Sequence, residues 1–109
     1  MDYKVIVAAL KPDVTDGVVE AAKACGISGA TIVPGRGTGM HDAKTFLGLT
    51  LEMQTDVVIF LAEKELIQPV MTAIHSAGRL DEHGTGVVFV LDVEQVAGIK
   101  EEIVRREVK

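Results

Sequence analysis

Hydrophobic residues change their period several times along this chain, and each change marks an element. Tyr3 to Leu10 is an almost continuous apolar run, β-branched at Val5, Ile6 and Val7, that stops at Lys11-Pro12. A run this short, closed by proline, predicts a central strand. Val14, Val18, Val19, Ala21, Ala22 and Cys25 then recur at helical spacing, with Asp13 or Thr15 placed to cap the start and Gly26 the end. Ile27 to Val33 predicts a second short strand. From Phe46 the pattern alternates strictly, Leu47, Leu49, Leu51 and Met53 against Gly48, Thr50, Glu52 and Gln54, the period of a half-buried strand. Val57 to Leu61 reads as a fully buried strand, with Thr55-Asp56 a bulge or register change before it. Leu66, Ile67, Val70, Met71, Ile74 and Ala77 share a second helical face ending near Gly78. Pro69 lacks a backbone donor, so this helix must start later than a cap at Glu65 would allow, or distort its first turn. Val87 to Leu91 predicts the last strand, and Lys100–Lys109 is a charged, helix-favouring tail.

The order β-α-β-loop-β-α-β, with no linker or low-complexity segment, predicts one domain over residues 1–109. Two successive βαβ units close into a four-stranded antiparallel sheet with both helices on one face. The expected fold is therefore α+β, a ferredoxin-like βαββαβ sandwich with a C-terminal extension. Its second sheet face is left uncovered, and Leu47, Leu49 and Leu51 placed there would drive association.

Composition narrows the function classes. The chain has 109 residues, 48% hydrophobic but only 4% aromatic, so its core is aliphatic and modest. Lys and Arg total 11 against 16 Asp and Glu, a net charge of -5, which argues against a general nucleic-acid binder. Cys25 is the single cysteine, so no intrachain disulfide forms and a reducing compartment is expected. On the helix face it is most simply a small apolar group. The first residues have no signal-peptide pattern, and no apolar run approaches the ~20 residues of a membrane span. A cytoplasmic protein without direct membrane insertion is expected.

Two glycine-bearing polar stretches interrupt the apolar runs. The first is Pro34-Gly35-Arg36-Gly37-Thr38-Gly39 after the second strand; the other spans 78–86 after the second helix. Successive backbone N–H groups in a loop like the first can form a concave nest for an anion, and Arg36 adds a fixed positive charge there. Neither is a Walker loop, since no lysine followed by Ser or Thr succeeds the glycines, and neither opens a helix as a dinucleotide fingerprint would. The blander alternatives are a slack hairpin connection for the first and, for Arg79, a cation complementing a helix dipole.

Taken together with their flanks, these stretches resemble the PII family of signalling proteins. Gly26-Ile27-Ser28-Gly29-Ala30-Thr31 is similar to the family's Gly-x-x-Gly-x-Thr approach to strand two. Ala77-Gly78-Arg79-Leu80 and Gly84-Thr85-Gly86-Val87-Val88-Phe89-Val90 resemble its B-loop and the strand that follows, and Asp92-Val93 to Ile99-Lys100 its C-terminal loop. The resemblance implies a homotrimer that binds ATP, ADP or AMP, or a similar small anion, in clefts between subunits. It implies that Pro34 to Thr45 is a T-loop, docking on a regulated transporter or enzyme. By the same resemblance Thr31, Gly35, Arg36, Gly37, Thr38 and Gly39 belong to the ligand site, together with Arg79, Gly84, Thr85, Gly86 and Lys100.

The departures from the family are specific. The Pro34–Thr45 segment is short and holds no tyrosine, serine or glutamine, so neither the family's loop modifications nor its Mg-ATP and 2-oxoglutarate anchor carries over. Val87 and Gly98 stand where the family has cations, and Asp81-Glu82-His83 looks inserted, which lowers the expected affinity for a triphosphate. A rival reading is a divalent-metal trimer resembling the CutA proteins, built on the His41-Asp42 and Glu82-His83 pairs. His75, at helical spacing, reads as a partly exposed helix residue. No nucleophile–base pair or paired carboxylates suggest an enzyme.

Overall fold

The computed structural model describes residues 2–37, 44–46, 49–51, 53–82 and 84–99. The first apolar run forms strand β1, Tyr3–Leu10, and the first helical face forms α1, Pro12–Ala24. Lys11 is extended and Pro12 is the first helical residue, so the helix begins ahead of both expected caps. Proline suits that position, since its missing N–H is one the helix leaves free and its fixed φ is already helical. Thr15 turns inward instead. It is buried, and its hydroxyl donates to Asp56 Oδ2 at 2.7 Å. Thr15→Val keeps the shape but strands the acceptor, and should cost about 1–2 kcal/mol in urea unfolding.

Gly26, at φ 112°, ends α1. Its N–H bonds the Lys23 carbonyl at 3.0 Å and the Ile27 N–H bonds that of Ala22 at 3.4 Å, a Schellman pair. Ile27 is thus a buried helix stop, and strand β2 begins four residues later, at Thr31–Gly37. The expected strand over Ile27–Val33 is shifted accordingly, and Pro34 to Gly37 are strand residues. The physical reason is position: β2 is an edge strand, where a proline without an N–H is tolerated and hydrophobic pattern says little.

The alternating run divides. β3 (Lys44–Phe46) pairs with β4 (Leu49–Leu51) in a separate two-stranded sheet, and β5 runs without interruption from Met53 to Glu63 through Thr55-Asp56. A 3-10 turn, Lys64–Leu66, leads into α2, Ile67–Ala77. Pro69 is the third residue of α2, where no intrahelical donor is needed, so the later start resolves it. β6 is Gly86–Asp92.

The main sheet has the order β2-β5-β1-β6, antiparallel throughout, which is the ferredoxin-like topology. Ile6, Ala8 and Leu10 of β1 and Val58, Phe60 and Ala62 of β5 face the helices. Val14, Val18 and Ala22 of α1 and Ile67, Val70 and Ile74 of α2 close over them, and all are buried. The other face stays open. Val33, Ile59, Val87, Phe89 and Leu91 are between 37% and 54% exposed on it. Leu49 and Leu51 are not part of this face, because β4 lies outside the main sheet; Leu47 falls outside the described residues.

At the far end of the sheet Lys4 Nζ donates to Asp92 Oδ1. That hydrogen bond first, and then the lysine's charge, holds the Asp92 carboxyl below its usual 3.8. A depressed carboxylate stabilises the fold above its unfolded pKa and loses that contribution as pH falls, here below about pH 4. Asp92→Asn should remove this small acid-side dependence, and added salt should mask it.

Candidate functional site

The end of α2 builds the strongest feature. Gly78 caps the helix at φ -86°, and Arg79 follows at φ 52°, in the left-handed region that L-residues seldom adopt. Its N–H bonds the Ser76 carbonyl at 3.2 Å, and the Leu80 N–H bonds that of His75 at 3.0 Å. This is a second Schellman closure, with a cation where glycine is the usual residue. Strain of this kind persists where the surroundings enforce it and often marks a functional position. Arg79→Gly should therefore raise stability by about 0.5–1 kcal/mol, since the ion pairs it loses are solvent-exposed. Equilibrium urea unfolding reads this directly.

The turn is held from inside. Thr85 is buried, and its hydroxyl lies 2.7 Å from the Arg79 carbonyl and 3.0 Å from that of Glu82, so its one proton bridges the first half of the turn. Gly84 and Gly86 take positive φ on either side. Gly86 begins β6 opposite Leu10, close against the backbone of Ala9. The guanidinium points outward, half-exposed. Its Nη2 lies 3.4 Å from Asp13 Oδ2 and its Nε 3.9 Å from Glu82 Oε1. Asp13 is in the first turn of α1, which leaves β1 at the same end of the sheet.

Of the expected site residues, Arg79, Gly84, Thr85 and Gly86 come together in this turn. Thr31, Gly35, Arg36 and Gly37 lie instead on β2, the opposite edge. Gly35, Arg36 and Gly37 pair with Thr55, Gln54 and Met53, beyond the last residues of β5 that meet β1. They form a two-stranded ribbon projecting past the sheet, not the loop expected from the glycines. Both groups sit at one end of the sheet, yet β5 and β1 separate them by three strand spacings, about 14 Å. Thr38, Gly39 and Lys100 lie outside the described residues, as do His41, Asp42 and His83 of the metal reading. Among the described residues no three His, Cys, Asp or Glu side chains cluster to hold a metal.

Asp13 and Glu82 were not legible as partners of Arg79. Asp13 is 66 positions away and reads as a helix cap, and the pairing of β1 with β6 and the packing of α1 on α2 bring it near. The nearest sequence signal is Lys11-Pro12, which ends β1 where β6 starts.

A ferredoxin-like α+β domain with a cation-bearing turn at one end of its sheet is the class this architecture defines. The model of the family described as nitrogen regulatory protein P-II matches residues 3–103. A nitrogen regulatory protein P-II of Rhizobium meliloti (strain 1021) is 33% identical over 103 residues, covering 89% of this chain and 91% of the relative. One of Cereibacter sphaeroides is 31% identical over 103 residues, with the same coverage. The chain belongs to the nitrogen regulatory protein P-II family, a family of signalling proteins.

Proposed function

We propose that this protein is a regulator and not an enzyme: a homotrimer that binds an adenine nucleotide, ATP, ADP or AMP, or a similar small anion, between subunits. The observation that carries the reading is the Arg79–Gly86 turn, where a fixed cation and two positive-φ glycines surround a loop pinned by Thr85. The placement of Gly35, Arg36 and Gly37 on the sheet edge opposite the Arg79–Gly86 turn supports a joint site that uses β2 of a neighbouring subunit. The exposed apolar sheet face supports association of copies. Ligand binding would stabilise one conformation of the Pro34–Thr45 segment, and a transporter or enzyme partner would read it. The partner would meet this protein outside the lipid: among the described residues no helix is long and apolar enough to cross a membrane.

Thermal unfolding against a panel of adenine nucleotides, 2-oxoglutarate, bicarbonate and divalent metals tests the ligand class. A true ligand at a hundredfold its Kd should stabilise the fold by about 2.7 kcal/mol. No shift with any adenine nucleotide would reject the nucleotide, and a shift with metal alone would favour the metal reading.

A further inference from the structure

The cation of the proposed site is already engaged by two carboxylates of its own chain. We infer that Asp13 and Glu82 act as an internal competitor for Arg79, so that an anionic ligand binds by exchange and not by simple addition. This rests on the anion-binding reading above and specifies how that site is regulated. Three observations support it. The guanidinium faces Asp13 Oδ2 at 3.4 Å through Nη2 and Glu82 Oε1 at 3.9 Å through Nε. All three side chains are at least 49% exposed, so water and ligand reach them and the pairs are weak enough to exchange. The backbone beneath does not need to move, because Thr85 holds the carbonyls of Arg79 and Glu82 and the helix closure holds the Arg79 N–H.

Two consequences follow. The carboxylates set a threshold, since an incoming anion must outcompete charges fixed within 4 Å. They also repel each added negative charge on the ligand, so the site favours less highly charged anions than a bare arginine would. Asp13 lies in the first turn of α1 and Arg79 just past the end of α2, so their contact ties the two helix ends. Ligand binding releases that tie without unfolding the turn.

Calorimetric titration with ADP tests the inference across Asp13→Asn, Glu82→Gln, the double variant and a control, Asp16→Asn. Asp16 is an exposed acid of the same helix outside the ion pairs of Arg79. Each neutralised partner should tighten ADP binding about two- to fivefold, while Asp16→Asn leaves it nearly unchanged. In an Arg79→Ala background the gain from Asp13→Asn should vanish. Wild-type binding that is unaltered by both neutralisations, or an equal gain from Asp16→Asn, overturns the competitor while leaving the ligand reading intact. Absence of ADP binding in every variant overturns ADP as the ligand and, with it, the competitor as stated for ADP.

Discussion

Replacing Gly86 with alanine is expected to destabilise the domain by about 3 kcal/mol, lowering Tm by roughly 10–20 °C. Gly86 has φ 151°, and a Cβ built there runs into the carbonyl oxygen of Ala9. The obstructing atom is backbone in the central strand, so no side chain can swing aside to relieve it. β6 would have to lift away from β1 at the point where its pairing begins, opposite Leu10. Gly29→Ala is the matched control. Nothing lies within 4 Å of a Cβ at Gly29 and its φ is not positive, so its effect should stay within about 0.5 kcal/mol. Equal behaviour of the two variants in thermal unfolding would mean that β6 starts on a different path.

Phe89→Asp should have its large effect on assembly and little on the chain itself. Phe89 lies on the open sheet face, 44% exposed, paired with Val7 and flanked by Val87 and Leu91. If copies of the protein bury this face, each carboxylate placed there is desolvated without a partner, weakening association by about 3 kcal/mol or more. That is a hundredfold or greater rise in the dissociation constant. Light scattering should show the wild type as a trimer and the variant as a smaller species with unchanged circular dichroism. Phe60→Asp, two strands over on β5 and fully buried against the helices, should instead abolish folding. A wild type that scatters as a monomer would remove the cleft on which the proposed ligand site depends.

Legibility differed between the core and the site for a physical reason. Ile6, Leu10, Val18, Phe60, Val70 and Ile74 are fully or almost fully buried, and each belongs to an apolar run or helical face visible in the sequence. Desolvation dictates those positions, so they leave a periodic record. β2 left a poor one. Its residues are exposed or half-buried, its register depends on β5 alone, and Ile27, which looked like its first residue, closes a helix. The glycines at 35 and 37 resembled a loop because an edge ribbon and a turn draw on the same residue types.

The sequence alone determined the element types, the α+β class, the βαββαβ order and the resemblance that the family match later established. Those properties follow from local periodicity, capping and short motifs, each encoded within a dozen residues. Only the tertiary structure decided that Leu49 and Leu51 leave the main sheet, that Val33, Ile59, Val87, Phe89 and Leu91 form its open face, and that the two glycine stretches stand on opposite edges. It alone placed Asp13 beside Arg79. Strand order and long-range charge pairing arise from which elements cross and pack, and residues 66 positions apart carry no mark of that in their spacing.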